Sequence, residues 1–189
     1  MTDKLFNHKN WERLISEERM RWMNPESLFF YLKLNPEQIW LDFGCGPGFF
    51  SIPMAKKVAK VIAVDVSREM LQILRKRANE NGVSNMEYLE QGCPGDLTGV
   101  SDVNGVLMVN VLHEVEEPHL CLSVTSQKLK HNGMFVLVEW KHEPMEMGPP
   151  LDHRFTVVQI KEIIKKSGLK LNDRPKIYKY HDVYILSKP

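Results

Sequence analysis

Short apolar runs alternate along the chain with segments in which apolar residues recur every three to four positions. The runs lie at residues 39–41, 61–64, 86–89, 103–111 and 133–139. Apolar runs bounded by turn residues are typical of buried strands. In the segments between them, apolar residues recur with the period of helices that pack one face against a sheet. Regular alternation of the two predicts a doubly wound α/β fold with a mostly parallel sheet.

The start of the chain lacks this alternation of strands and helices. Residues 8–34 are predicted to form two helical segments that are rich in aromatic residues. Asn10 is suited to cap the first segment and Asn24 the second. We therefore divide the chain into an N-terminal helical extension, residues 1–36, and a core domain, residues 37–189. The aromatic rings of the extension either pack its helices onto the sheet edge or belong to a lid over a ligand site.

Helical periodicity elsewhere predicts further helices at residues 49–58, 68–80, 116–130 and 157–166. Ser67 and Thr156 are good caps for the second and the fourth of these helices. The chain ends in two strands, residues 169–180 and 182–187, joined by a tight connection around His181. With the five earlier runs they make a seven-stranded sheet.

The most informative stretch places a glycine-rich turn after the first strand and an acid at the tip of the second. The turn contains three alternate glycines, Gly44, Gly46 and Gly48. Glycines let the backbone turn tightly and approach a ligand closely. Asp65, about 20 residues further on, can accept hydrogen bonds from a ribose diol. These residues predict a nucleotide-binding βαβ unit.

The spacing of the turn selects among nucleotides. The pattern is G-x-G-x-G, and Phe49 stands where a dinucleotide fold has its third glycine. Asp42 directly precedes the glycines, and a carboxylate there repels pyrophosphate but suits a ligand with an ammonium group. No P-loop pattern is present. An NAD-dependent oxidoreductase stays open as a rival that would have to bind pyrophosphate despite Asp42.

The sequence LDFGCGPG at residues 41–48, which contains Asp42 and the three glycines, resembles the first motif of the class I S-adenosylmethionine-dependent methyltransferases. The resemblance extends in general terms from about residue 38 to residue 189, and is closest to the type 11 group that includes quinone-biosynthesis enzymes. It implies a Rossmann-like three-layer sandwich that finishes in an antiparallel strand pair. It also implies S-adenosylmethionine as the cofactor and in-line transfer of its methyl group to a small-molecule acceptor.

The resemblance places the amino group of the cofactor near Asp42, its ribose on Asp65 and its adenine between Val66 and the loop at 93–97. The cofactor-binding residues it implies are Asp42, Gly44, Cys45, Gly46, Gly48, Asp65, Val66, Met70, Cys93, Asp96 and Asn110. Members of the family commonly have Gly-Asp in the adenine loop, whereas Gly92 is followed here by Cys93. Asp96, a backbone carbonyl or no specific group could therefore contact the adenine.

Candidate catalytic residues follow the fourth and fifth strands, because ligands of open α/β sheets bind beyond the carboxyl ends of the strands. His113 is either a base that takes a proton from the acceptor or a partly buried structural histidine. Asn110 and Trp140 are expected near the transferred methyl. Trp22, Trp140 and Arg154 are candidate acceptor contacts, and Arg154 could hold a carboxylate or phosphate. The alternative is that Arg154 lies on a solvated connection pinned by prolines.

The histidines and acids near these strands, His113, Glu114, His142 and His153, match no metal-ligand spacing, so no metal is predicted. The chain carries 25 Lys and Arg against 24 Asp and Glu, a net charge of +1. Such balance gives no long-range attraction to nucleic acid or to anionic membranes. The acceptor is accordingly expected to be a small molecule rather than a nucleic acid, and the protein a monomer or homodimer.

Three cysteines, Cys45, Cys93 and Cys121, show no C-x-x-C spacing and are predicted to be free thiols in a reducing compartment. No run approaches the ~18 apolar residues of a membrane span, and the first residues lack the apolar core of a signal peptide. We expect a cytoplasmic enzyme. Two alternatives remain: a catalytically silent cofactor- or partner-binding protein of this fold, and an RNA or protein methyltransferase.

Overall fold

The computed structural model describes residues 8–93, 95 and 97–189. The strands of these residues are β1 (Ile39–Phe43), β2 (Lys60–Asp65), β3 (Met86–Glu90), β4 (Val103–Val109), β5 (Leu129–Trp140), β6 (Lys170–Asp173) and β7 (His181–Ser187). They form one seven-stranded sheet in the order β3-β2-β1-β4-β5-β7-β6. Neighbours from β3 to β5 are parallel, whereas β7 runs antiparallel to both β5 and β6. The predicted mostly parallel sheet with a C-terminal antiparallel pair is confirmed.

The helices of the described residues are α1 (Glu17–Trp22), α2 (Pro25–Leu32), α3 (Ser51–Ala55), α4 (Arg68–Glu80), α5 (Pro118–Ser126) and α6 (Val157–Lys166). Shorter 3-10 helices occupy His8–Ile15, Leu112–Glu114 and Leu151–His153. The side chains of Asn24, Ser67 and Thr156 cap α2, α4 and α6 as predicted. Within the described residues, no helix combines the length and apolar character needed to cross a bilayer.

Alternate residues of the central strands point into two separate cores, one on each face of the sheet. Trp40 packs on the face covered by α2, α3 and α4, and Leu41 packs on the face covered by α5 and α6. Trp40 is fully buried, and its ring occupies the space in which Gly105 on β4 would carry a Cβ, at 2.5 Å. The result is a three-layer sandwich in which the carboxyl ends of β1, β2 and β4 meet along one edge.

Several predicted boundaries differ from the structure for local reasons. The helix predicted at 116–130 ends at Ser126, because the Thr125 and Ser126 hydroxyls donate to carbonyls of the preceding turn. Leu129 then starts β5 by pairing with Val103. The strand predicted at 169–180 ends at Asp173, two residues before Pro175, which has no N–H to donate to a ladder.

Two shorter segments also depart from prediction. The helix expected at 49–58 is reduced to α3, because residues 47–50 still belong to the glycine-rich turn. Asn10 does not cap a helix. It lies inside the 3-10 helix His8–Ile15, where its φ of −102° and ψ of 18° mark a kink.

The prediction of free thiols is wrong for two of the three cysteines. Cys93 and Cys121 form a disulfide with a Cα–Cα distance of 5.4 Å across a sequence separation of 28. The bond joins the loop after β3 to α5, and such a distance is within the range that disulfides require. Cys45 is a buried free thiol. A spacing of this length in sequence carries no pairing signal, since only the packing of the loop on α5 brings the two sulfurs together.

Candidate functional site

The glycine-rich turn after β1 lies between the ends of β2 and β4. Gly44 and Cys45 donate their backbone N–H groups to the carbonyl of Val64, at 2.8 and 3.0 Å. Gly44 has a φ of +74°, and a Cβ at this position would lie 2.1 Å from Cγ2 of Val111. Only glycine suits that conformation and that close approach. The turn is thereby held against the strand ends where ligands of such sheets bind.

Asp65, the acid at the tip of β2, connects this turn to the start of α4. One carboxylate oxygen accepts from the Gly46 N–H at 2.8 Å, and the other accepts from the Ser67 N–H at 2.9 Å. Burial raises the pKa of Asp65, and the backbone hydrogen bonds oppose that increase. The carboxylate therefore fixes the turn, and its remaining lone pairs are available to hydroxyl donors.

Asp42 lies at the base of the turn and is almost completely buried. Its carboxylate accepts a hydrogen bond of 2.5 Å from the Ser51 hydroxyl on α3. Burial raises the pKa of Asp42 to about 7, because desolvation outweighs the favourable hydrogen bond from Ser51 and the positive charge of Arg19. A carboxyl group with this pKa is ready to ionise when a cation is placed beside it.

The N-terminal extension supplies a buried guanidinium to the same region. Arg19 on α1 lies 4.6 Å above the Phe49 ring and donates to the Leu14 carbonyl at 2.9 Å. Its Nε is buried and has no hydrogen-bond partner among the described residues. Burial lowers the pKa of Arg19 to about 10. Leu14 itself packs within 3.7 Å of where a Cβ on Gly46 would lie, so the extension covers the turn.

At the end of β4, His113 forms a buried pair with Glu139 from the end of β5. Nδ1 of His113 lies 2.8 Å from one oxygen of Glu139, and the other oxygen accepts from the Leu112 N–H at 2.7 Å. Burial alone lowers the pKa of His113, but the charge and hydrogen bond of Glu139 outweigh it and raise the pKa above its ordinary value. Glu139 fixes the imidazole through Nδ1, and Nε2 of His113 lies 3.9 Å from a carboxylate oxygen of Glu114.

An aromatic group lies where β5 ends and β7 begins. The rings of Trp22 and His181 are stacked with centroids 5.5 Å apart, and Trp140 lies 4.0 Å from His181. Nε2 of His181 is 3.1 Å from Nδ2 of Asn110, the residue that follows β4. Asn110 has a φ of +57°, a conformation that asparagine tolerates better than most residues and that often marks functional positions. The structure thus brings together Trp22, Asn110 and Trp140.

The remaining candidates for cofactor binding differ in their exposure and contacts. Val66 is 52% exposed and lies 3.5 Å from where a Cβ on Gly92 would be, which makes an open apolar surface beside Asp65. Met70 is buried and donates its N–H to Ser67. Cys93 is part of the disulfide, and Asp96 lies outside the described residues.

Arg154 is held by its own loop rather than aimed at a ligand. Its three guanidinium nitrogens donate to the carbonyls of Pro149, Glu143 and Met147 at 2.8, 2.9 and 2.8 Å. These bonds organise the loop between β5 and α6. They leave few donors for a carboxylate or phosphate, so we do not retain Arg154 as an acceptor contact.

Comparisons with known proteins agree with this geometry. Residues 41–133 match the profile of a family described as a methyltransferase domain. The fold is similar to the crystal structure of an S-adenosylmethionine-dependent methyltransferase from Aquifex aeolicus, with a TM-score of 0.87, 25% identity and coverage of 96% of this chain and 99% of that one.

Residues 41–133 therefore match a methyltransferase domain, and the chain has the fold of an S-adenosylmethionine-dependent methyltransferase.

Two curated relatives show the range of this family. A mitochondrial ubiquinone biosynthesis O-methyltransferase of Schizosaccharomyces pombe is 38% identical over 51% of this chain and 36% of its own length. A ribosomal protein L11 methyltransferase of a Thermoanaerobacter strain is 31% identical over 67% of this chain and 40% of its own length. The chain therefore spans well under half the length of these two methyltransferases.

Sequence reasoning missed three residues of this candidate site. Glu139 was recognisable only as a polar residue at the end of an apolar strand, and His181 only as part of a turn. Arg19 had no signal at all, because an arginine on a short amphipathic helix is usually exposed. Each of the three gains its position from contacts between elements distant in sequence.

Proposed function

We propose that this chain transfers the methyl group of S-adenosylmethionine to a small-molecule acceptor. The observation that carries the proposal is the charge arrangement around the glycine-rich turn, where Asp42, Asp65 and Arg19 converge on Gly46 and its neighbours. Two acids and one buried guanidinium complement a ligand that contains an ammonium group, a ribose diol and a carboxylate.

Each of these groups has one structural reason to bind the cofactor. Asp42 gains a countercharge for a carboxyl group that burial otherwise keeps about half protonated at pH 7. Arg19 gains an acceptor for its unpartnered Nε and an anion for a buried charge. Asp65 accepts from ribose hydroxyls through the lone pairs that Gly46 and Ser67 leave free. The adenine would lie on the exposed surface of Val66.

When bound, S-adenosylmethionine supplies an electrophilic methyl on a sulfonium, so the main contribution of the protein is alignment of the acceptor. Good alignment can lower a barrier by roughly 7–11 kcal/mol at best. Asn110, directly after β4, and Trp140, at the end of β5, both contact His181, and we expect them to orient the acceptor. Through Nε2, His113 would remove a proton from the acceptor, while Glu139 stabilises the resulting imidazolium.

Two considerations favour a small-molecule acceptor. The S. pombe relative is named for a step in ubiquinone biosynthesis, and the near-zero net charge of this chain gives no long-range attraction to RNA. The Thermoanaerobacter relative is named for a ribosomal protein, so a protein acceptor is the alternative outcome of an acceptor screen.

The cofactor assignment is tested by calorimetric titration of Asp65→Ala with S-adenosylhomocysteine. Each lost charge-assisted hydrogen bond is worth about 1.5–3 kcal/mol, so we expect at least a tenfold rise in Kd. Asp152→Ala, which changes an exposed acid of a 3-10 helix, is the matched control. Wild-type affinity in Asp65→Ala would show that Asp65 does not bind the ribose. Turnover is then screened with labelled S-adenosylmethionine against small molecules and proteins.

A further inference from the structure

The connection from β3 to β4, residues 91–102, crosses two strands of the sheet. β3 is the outermost strand and β4 stands fourth in the order, so this crossover passes over β2 and β1. A crossover between parallel strands is usually made by an α-helix. Here no described residue of the crossover belongs to a helix or a strand. Its position therefore depends on individual side-chain contacts rather than on a helix packed against the sheet.

Packing holds the second half of the crossover. Leu97 and Val100 are buried in the core on the face covered by α5 and α6, and the Val100 N–H donates to the Leu97 carbonyl at 3.0 Å. Leu97 and Asp102 have φ values of +43° and +56°. Residues other than glycine keep such a left-handed conformation only where the surrounding structure holds them in it. This half of the crossover is thus fixed in a conformation that the isolated segment would leave.

The first half of the crossover is held by the Cys93–Cys121 disulfide, which ties it to α5. Cys93 is half-buried, whereas Cys121 lies in the core with no exposed surface. Cys93 is therefore the end of the bond that an external thiol can reach. Thiol–disulfide exchange depends on this access, so the bond can be opened from the Cys93 side.

The residues beside Cys93 form one side of the proposed cofactor site. Gly92 lies so close to Val66 that a Cβ on this glycine would be 3.5 Å from Cγ2 of Val66. The Gln91 N–H donates to the carbonyl of Asp65, the acid proposed to bind the ribose, at 3.0 Å. The disulfide thus anchors the segment that faces Asp65 and Val66, where the proposed function places the adenine.

We propose that Cys93 and Cys121 form a thiol–disulfide switch of cofactor affinity, operated by exchange with a small dithiol. The disulfide form holds residues 91–93 against Val66, and the dithiol form releases them. The inference rests on the proposed binding of S-adenosylmethionine and adds a means of regulating it.

The exchange proceeds in two steps. A thiolate of the external dithiol attacks Sγ of Cys93, the bond between the two cysteine sulfurs breaks, and Cys121 leaves as a thiolate that takes up a proton. The second thiolate of the reagent then attacks the reagent sulfur bonded to Cys93. Cys93 leaves as the second protein thiol, and the reagent becomes a cyclic disulfide. The protein gains two electrons and two protons, and the dithiol loses them.

The test is calorimetric titration of the full chain with S-adenosylhomocysteine, after oxidation by oxidised glutathione and after reduction by dithiothreitol. Thiols counted in denaturant should number one in the oxidised sample, Cys45, and three in the reduced sample. We expect the Kd to rise about tenfold on reduction, as when about one tenth of the reduced molecules hold the binding conformation. Near-UV circular dichroism should show that the reduced chain remains folded. Equal Kd values, three thiols after oxidation, or an unfolded reduced chain would overturn the switch.

A variant separates loss of the bond from other effects of the reductant. Cys121→Ala removes the bond from its buried end and leaves the residues that face the cofactor unchanged. Its Kd should match that of the reduced wild type and should not respond to dithiothreitol. Leu122→Val, at the neighbouring buried position of α5, is the matched control and should keep the wild-type response. Oxidised wild-type affinity in Cys121→Ala would contradict the proposal.

The thiol–disulfide equilibrium of the pair gives a second readout. Because coupling between two equilibria is reciprocal, saturating S-adenosylhomocysteine should shift this equilibrium about tenfold towards the disulfide. For a two-electron couple, that shift lowers the midpoint potential by about 30 mV. An unshifted midpoint would overturn the switch. Failure of the oxidised wild type to bind S-adenosylhomocysteine would refute the proposed cofactor itself, whereas binding with equal Kd in both states confines the failure to the switch.

Discussion

The buried carboxyl group of Asp42 makes cofactor affinity depend on pH. In the empty protein its pKa is raised from 3.8 to about 7, chiefly by burial. That increase corresponds to about 4 kcal/mol of unfavourable free energy for the ionised form. A cofactor ammonium beside Asp42 favours ionisation, so binding must release the proton whenever the empty site still holds it.

The magnitude of the pH effect follows from this linkage. Above about pH 8 the carboxyl group is already ionised, and the affinity for S-adenosylhomocysteine should be constant. Below pH 7 the Kd should rise about tenfold for each pH unit, so that binding at pH 6 is roughly ten times weaker than at pH 8. At pH 7 about half a proton should be released for each ligand bound.

Calorimetry measures both quantities. Titrations from about pH 5.5 to 8.5 give the Kd profile, and titrations at pH 7 in two buffers of different ionisation enthalpy give the number of protons released. Asp42→Asn removes the titrating group and preserves the acceptor for Ser51, so it should bind weakly with a flat profile. Asp152→Asn is the exposed control. A flat profile in the wild type, or an unchanged slope in Asp42→Asn, would refute the ionic role of Asp42.

Four further outcomes are expected. His113→Ala should lower turnover and leave the affinity for S-adenosylhomocysteine nearly intact; an unchanged turnover rate would contradict a role for His113 as base. Glu139→Gln should move the rising limb of the pH–rate profile to lower pH, because Glu139 raises the His113 pKa. A rising limb at the wild-type pH would contradict this effect of Glu139. Asp42→Asn should stabilise the empty protein at pH 8 in urea unfolding, since ionised Asp42 opposes folding as pH rises from about 4 through 7. Reducing the Cys93–Cys121 disulfide, which closes a loop with a sequence separation of 28, should lower the unfolding free energy by about 3–4 kcal/mol; equal urea midpoints with and without reductant would disprove it.

The parts of the site that could be predicted are those whose chemistry is local in sequence. Gly44, Gly46 and Gly48 require positive φ within a few residues of one strand, and each has it. Asp65 lies at the end of the next strand, and the hydrogen bond from Gly46 that links it to the turn spans only 19 residues. A strand, a turn and a helix of fixed lengths bring such residues together in almost any βαβ unit.

The parts that could not be predicted depend on packing between distant elements. Arg19 reaches the glycine-rich turn only because the N-terminal extension folds back over it, and Tyr178 fastens that extension by donating to the Asn24 carbonyl at 2.9 Å. His181 meets Asn110 across 71 residues of sequence. Neither Arg19 nor His181 lies in a sequence pattern that distinguishes it from a surface residue, so only the folded chain reveals the surroundings of these two side chains.

The most direct test of the cofactor site is parallel calorimetric titration of the wild-type chain with S-adenosylmethionine, S-adenosylhomocysteine and NADH. The arrangement of Asp42, Asp65 and Arg19 around the glycine-rich turn predicts micromolar binding of both sulfur compounds and none of NADH. Binding of NADH alone, or of none of the three compounds, would contradict the assignment of this turn to S-adenosylmethionine.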